Sequence, residues 1–198
     1  MSFYSNPMVQ YFLDLEINTD FPNERPNPER DNISTIQYQK LDFHGNPVEN
    51  EPLIILKSWE SSEEDIVKKF FSIFMNGDEW SFIPIGFNLT FEMCFLHAKF
   101  KKYGLINKKD SFLEFMFKRK LIDIQPAFLL ANNLSFRNSG MDKMTNKTHD
   151  GKIVLQWFKD KEYNKIEDYV KEEAEIFLQV FKIIRDDLIL SKDKWKRI

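Results

Sequence analysis

The sequence predicts an α/β fold in which a mixed central sheet is flanked by helices. Three strand-like runs joined by turns follow one another between residues 10 and 59, which is typical of an antiparallel meander. The hydrophobic period then changes to that of helices, with one more short strand between the first two of them. This order of elements is typical of a mixed α/β domain, and the 198 residues suffice for one domain over 1–198.

The predicted strands of the meander cover residues 10–17, 33–43 and 53–59. The first strand is mostly apolar but carries Asp14 and Glu16. Because side chains alternate between the two faces of a strand, these two carboxylates leave from the same face.

Helices dominate the rest of the chain. The predicted helices cover residues 61–77, 88–103, 111–131 with a break near Pro126, and about 163–190. Residues 82–87 form a fourth strand, which we expect to run parallel to the first, and a short fifth strand is expected from 120–124 or 153–157. The polar segment 132–151 is expected to be irregular.

The composition excludes several classes of protein. A formal net charge of −3 argues against coating nucleic acid through a uniformly basic surface, although a local basic channel is compatible with it. The single cysteine, Cys94, excludes an intrachain disulfide framework and a cysteine-based zinc site. No secretory signal and no membrane-spanning apolar stretch is evident. We therefore expect a cytoplasmic protein with no membrane partner.

Four acidic residues in separate apolar segments are the main functional signal. Asp14 and Glu16 lie on the first strand, Glu92 lies near the start of the helix after the fourth strand, and Glu173 lies in the last helix. Carboxylates are costly to bury unless a cation offsets their desolvation. We therefore expect the four side chains to converge on a shared divalent-metal site.

Each of these residues also has an ordinary structural explanation. Asp14 and Glu16 would be the solvated face of a strand, Glu92 would stabilise a helix N-terminus, and Glu173 would belong to a solvated helix flank.

The last helix leaves two registers open for a tyrosine and a glutamate on one face. Tyr169 and Glu173 are four residues apart, and so are Tyr163 and Glu167. We favour Tyr169 and Glu173 because a sustained apolar stripe follows them from Ala174.

Together these segments resemble a known family. The motifs Asp14-Leu-Glu16, Gly86-Phe-Asn-Leu-Thr-Phe-Glu92 and Tyr169-Val-Lys-Glu-Glu173-Ala look like the three exonuclease motifs of the DnaQ-like (DEDD) 3′–5′ exonucleases. These belong to the ribonuclease-H-like superfamily. The tyrosine-type branch, which includes the proofreading domains of family-B DNA polymerases, is the most similar.

The resemblance implies a ribonuclease-H-like fold and a metal-dependent 3′–5′ exonuclease acting on the 3′ end of single-stranded DNA or RNA. The implied cofactors are two divalent cations, Mg²⁺ or Mn²⁺. The implied catalytic residues are Asp14, Glu16, Glu92, Tyr169 and Glu173, and the four carboxylates among them are the implied metal ligands. The implied substrate contacts are Leu15, Asn88 and Phe91.

Glu92 and Glu173 depart from the family, which usually carries aspartate in the second and third motifs. Since glutamate is one methylene longer and Mg²⁺ demands near-ideal octahedral geometry, a catalytically weakened module that binds nucleic acid or serves a structural role stays open as an alternative. A third possibility, which does not depend on these two residues, is an unrelated α/β interaction domain in which the three motifs are coincidental.

The densest basic region of the chain has two interpretations, a solvated helix face or a path for the phosphate backbone of a single strand. Its members are Lys99, Lys101, Lys102, Lys108, Lys109, Lys118, Arg119 and Lys120.

Overall fold

A five-stranded mixed sheet forms the centre of the protein. The computed structural model describes residues 8–195, apart from the side chain of Asp193, so both ends of the predicted single domain lie outside the described residues. In chain order the strands are β1 (Gln10–Asn18), β2 (Asn32–Leu41), β3 (Ile54–Lys57), β4 (Ile83–Gly86) and β5 (Ile122–Asp123). Their order across the sheet is β3-β2-β1-β4-β5.

Helices cover both faces of this sheet. Over residues 8–195 they are α1 (Glu63–Phe74), α2 (Leu89–Lys102), α3 (Phe112–Phe117), α4 (Gln125–Ala131), α5 (Met141–Met144), α6 (Lys152–Lys159) and α7 (Tyr163–Trp195). None of these helices is long and apolar enough to cross a membrane.

The strand directions confirm the predicted meander. Strand β1 pairs antiparallel with β2, which pairs antiparallel with β3, whereas β4 runs parallel to both β1 and β5. The fifth strand comes from the predicted segment 120–124 and divides the predicted helix over 111–131 into α3 and α4. The alternative strand at 153–157 is wrong, because these residues lie in α6, where Val154 is buried against α7.

The two faces of β1 pack against different helices. Leu13 and Leu15 are buried in a cluster with side chains from α1, α2 and α3. Phe12, on the opposite face, contacts Phe177 of α7, with ring centroids 4.9 Å apart. Because side chains alternate along a strand, Asp14 shares the face of Phe12 and is directed towards α7.

Two backbone features shape the end of the sheet near the acidic residues. The pairing register of β1 and β2 shifts between Glu16 and Ile17, and the Ser34 hydroxyl donates to the Glu16 carbonyl at 2.9 Å. Such bulges re-aim nearby side chains. At the end of β4, a Cβ on Gly86 would lie 2.6 Å from the Leu13 carbonyl oxygen. Glycine therefore allows β4 to approach β1 closely before the chain turns into α2.

Candidate active site

Three carboxylates form a cluster between β1 and α7. One oxygen each of Asp14, Glu16 and Glu173 lies within 4.8 Å of the corresponding oxygens of the other two. Asp14 and Glu16 meet because they are two apart on a strand, and Glu173 reaches them because α7 packs on that face through Phe177. At this separation the three oxygens are close enough to share a divalent ion.

Glu92, in the first turn of α2, lines the same cavity, which has a volume of about 400 Å³. Within the described part of the chain, the buried oxygens Glu92 Oε2 and Glu173 Oε2 have no hydrogen-bond partner. An unpaired buried oxygen costs free energy. Stabilising a helix N-terminus does not require such an oxygen, so that role alone does not explain the burial of Glu92. Carboxylate oxygens are preferred ligands of Mg²⁺ and Mn²⁺. The residues present therefore fit a divalent cation.

Burial and the charge of neighbouring carboxylates disfavour the ionised forms of Asp14, Glu16 and Glu92 without a cation. Burial, reinforced by the nearby Glu173, raises the pKa of Asp14 to about 8. Burial and then the neighbouring carboxylates raise the pKa of Glu16 well above its usual range. The pKa of Glu92 is raised by burial first and by Asp14 second. A bound divalent cation would oppose all three shifts.

A lysine that the sequence did not indicate lies in this cluster. Lys147 Nζ is 2.5 Å from Glu173 Oε1, and its side chain is only 7% exposed. Burial opposes its charge, but Glu173 and then Glu16 outweigh burial and raise the pKa of Lys147. Lys147 lies between α5 and α6 in the irregular segment, where no periodicity distinguishes one lysine from another.

Tyr169 lines the same cavity and is 3% exposed. Lys147 Nζ lies 4.7 Å from the centroid of its ring. Burial, followed by the charge of Glu16, raises the pKa of the Tyr169 hydroxyl, so the hydroxyl keeps its proton at neutral pH.

The other tyrosine and glutamate considered for α7 lie away from the cavity. Tyr163 stacks on Trp59 with ring centroids 4.7 Å apart, and Glu167 forms a 2.9 Å ion pair with Lys57. Of the two registers, the structure brings only the one at 169 and 173 to the carboxylate cluster.

The three predicted substrate contacts all line the cavity. Leu15 is buried, Phe91 is half-buried, and Asn88 has a left-handed backbone with φ 57° at the start of α2. Other residues of the wall were not predicted from the sequence. They are Phe87, Gly140, Met141, Asp142, Asp150 and Gly151.

A hydrogen-bonded chain from β2 holds Asp14. Gln37 Nε2 donates to Asp14 Oδ2 at 2.6 Å, and Thr35 Oγ1 donates to Gln37 Oε1 at 3.0 Å. Gln37 was not predicted from the sequence, although it lies directly opposite Asp14 once the register of β1 and β2 is known.

Neither interpretation of the basic region fits Lys99. Its side chain is fully buried, and it donates to the Asp31 carbonyl and lies 3.3 Å from Glu63. Lys102 pairs with the same Glu63. Lys99 is therefore part of the framework, neither a solvated side chain nor a contact for phosphate.

Comparison with solved structures relates this arrangement to known proteins. The chain is similar to the family B DNA polymerase from the archaeon Pyrobaculum calidifontis, with a TM-score of 0.57 and 11% identity. The similarity covers 92% of this chain and 25% of the polymerase. The fold is ribonuclease-H-like. The fold expected from the sequence is thus confirmed.

A second similar structure is the zinc-bound complex of E. coli exonuclease I with single-stranded DNA, with a TM-score of 0.47 and 12% identity. That similarity covers 67% of this chain and 31% of exonuclease I. The chain thus spans between a quarter and a third of these two proteins. No protein-family model matches the sequence, and the comparison with curated proteins finds no match.

Proposed function

We propose that this chain is a metal-dependent 3′–5′ exonuclease that removes nucleotides from the 3′ end of single-stranded DNA or RNA. The observation that carries the proposal is the cluster of Asp14, Glu16 and Glu173, with Glu92 on the wall of the same cavity and two buried oxygens without partners. The ribonuclease-H-like fold supports it. A single domain over 1–198, a cytoplasmic location and the absence of a membrane partner stay predictions.

The carboxylates would hold two divalent cations, Mg²⁺ or Mn²⁺. Asp14 would serve both ions, Glu16 and Glu173 would complete the ligands of the first, and Glu92 would support the second directly or through water. The ions would neutralise charge on the phosphodiester and make water a better nucleophile at neutral pH.

The other residues of the cavity would orient the substrate and the attacking water. Because the Tyr169 hydroxyl stays protonated, it would position that water by a hydrogen bond and would not act as a base. Leu15 and Phe91 offer apolar surface to an unstacked terminal base, and Asn88 offers polar groups beside it. Unstacked bases are available in single strands, which favours a single-stranded substrate.

The test is an assay with single-stranded oligonucleotides labelled at either end. We expect shortening from the 3′ end, faster with Mn²⁺ than with Mg²⁺ because Mg²⁺ demands stricter geometry than the longer Glu92 and Glu173 side chains are expected to give. Asp14→Ala should abolish cleavage, since it removes the ligand common to both ions. Tyr169→Phe should slow cleavage while leaving Mn²⁺ binding nearly unchanged.

The exposed Asp20 provides a matched control, and Asp20→Ala should cleave like the wild type. Equal cleavage by the wild type and Asp14→Ala would point to a contaminating nuclease.

The second candidate is a catalytically weakened module that binds nucleic acid. The ion pair of Lys147 with Glu173 favours it, because an ammonium group already supplies positive charge beside the carboxylates. Oligonucleotide binding without metal-dependent cleavage of DNA or RNA would decide for this candidate.

A further inference from the structure

Asp123, at the end of β5, accepts three backbone hydrogen bonds. Its Oδ1 accepts the N–H of Asn88 and of Gln125, each at 2.9 Å, and its Oδ2 accepts the N–H of Leu89 at 2.9 Å. One carboxylate thus joins the last residue of β5 to the first residues of α2 and α4. Asp123 is not among the residues that line the cavity.

These bonds replace a local cap at the start of α2. The N-cap residue, Asn88, makes no side-chain capping hydrogen bond and has a left-handed backbone with φ 57°. The first N–H groups of a helix need acceptors, and Asp123 supplies a carboxylate from 35 residues away. The position of α2 is therefore fixed by the neighbouring strand as well as by its own sequence.

The start of α2 carries two residues of the candidate site. Asn88 lies at the cap and Glu92 one turn later, and both line the cavity opposite Asp14. A metal ligand must be held within a fraction of an ångström of its productive position by groups behind it. Asp123 accepts hydrogen bonds from the N–H groups of Asn88 and Leu89, in the turn that precedes Glu92.

We propose that Asp123 is a positioning residue that sets the place of Glu92, and with it the second cation, by holding the first turn of α2 against the end of β5. This inference rests on the proposed metal-dependent function. An ordinary capping residue would contribute stability alone, so the test must separate stability from metal binding.

The experiment measures Mn²⁺ binding to the full chain by electron paramagnetic resonance, independently of nuclease activity. The variants are Asp123→Asn, Glu92→Gln and the double variant. Asp123→Asn replaces one of the two accepting oxygens by an NH₂ group, which cannot accept a hydrogen bond from a backbone N–H. Asp42→Asn is a matched control, because Asp42 also accepts backbone N–H groups, from His44 and Asn46, in a turn outside the cavity.

We expect Asp123→Asn to weaken the second Mn²⁺ about tenfold, a usual loss for groups that support metal ligands. Glu92→Gln, which changes the proposed ligand itself, should weaken it at least as much. The double variant should bind no more weakly than Glu92→Gln, because Asp123 acts through Glu92. Asp42→Asn should bind like the wild type.

Three results would overturn the inference. They are wild-type Mn²⁺ binding by folded Asp123→Asn, additive losses in the double variant, and an equal loss in Asp42→Asn. If Asp123→Asn does not fold, Asp123→Ser, whose hydroxyl can accept one of the bonds, replaces it in the experiment and should show weaker binding of the second Mn²⁺ than the wild type. Failure of both to fold while Asp42→Asn folds would assign Asp123 to global stability instead. A wild type that binds no Mn²⁺ would refute the proposed function itself.

Discussion

Lys147 supplies positive charge to a group of carboxylates that otherwise repel one another. Its ammonium group contacts Glu173, and its charge also acts on Glu16 and Asp14. A divalent cation bound by these carboxylates would meet the repulsion of this ammonium group. Lys147 would therefore stabilise the metal-free cluster and lower its affinity for a divalent cation.

Replacing Lys147 by methionine should have opposite effects on these two properties. Mn²⁺ should bind more tightly because the competing charge is gone, and the metal-free protein should unfold at a lower denaturant concentration because Glu173 loses its partner. Calorimetric titration and urea unfolding in a chelator measure the two effects. Lys171→Met, on the exposed side of α7, is the control, and weaker Mn²⁺ binding by Lys147→Met would contradict the competition.

At the scale of elements, a buried ion pair connects α1 to α2. Glu63, the first residue of α1, accepts the N–H of Ile33 at 2.7 Å and pairs with Lys99 and Lys102 of α2. Lys99 in turn donates to the carbonyl of Asp31, just before β2. One carboxylate therefore holds two helices against the sheet.

Glu63→Gln should lower the free energy of unfolding by about 3 kcal/mol, because it leaves the charge of the fully buried Lys99 without a counter-ion. The neighbouring variant Glu64→Gln should change little, since Glu64 pairs with Lys68 at the surface. Urea unfolding measures both. Adding Lys99→Met to Glu63→Gln should recover part of the loss. No recovery would show that the hydrogen bonds that Glu63 accepts from Ile33 and Tyr103, not the charge of Lys99, are decisive.

For the whole molecule, the carboxylate cluster makes stability depend on pH. The pKa of Asp14 is raised from 3.8 to about 8 in the metal-free folded protein. Between these values the folded state binds more protons than the unfolded state, so this contribution to the free energy of unfolding is lost as pH rises towards 8.

The expected result is a steeper fall in the stability of the metal-free wild type than of Asp14→Asn as pH rises from about 4 to about 8. The difference between the two proteins is the informative quantity, because it contains the titration of Asp14 and the upward pKa shifts that its charge imposes on Glu16 and Glu92. Urea unfolding in a chelator at several pH values measures it. Mn²⁺ should stabilise the wild type most at the alkaline end, and parallel pH profiles for the two proteins would contradict the raised pKa.

The sequence by itself determined the features that follow from local geometry. Alternation along β1 placed Asp14 and Glu16 on one face, because the side-chain period of a strand is a property of the backbone. The four-residue spacing of Tyr169 and Glu173 placed them together on α7 for the same reason. Strand directions followed from the turns of the meander. The sequence left two places open for the fifth strand, because short apolar runs do not distinguish strand from helix by periodicity.

Only the tertiary structure decided which distant groups meet. Lys147 and Glu173 are 26 residues apart, Asn88 and Asp123 are 35 apart, and Gln37 and Asp14 are 23 apart. No local period relates residues at such separations, because their contact depends on how helices and strands pack. The carboxylates were visible in the sequence because each stood out in an apolar segment. The groups that neutralise and position them became visible only when packing brought the segments together.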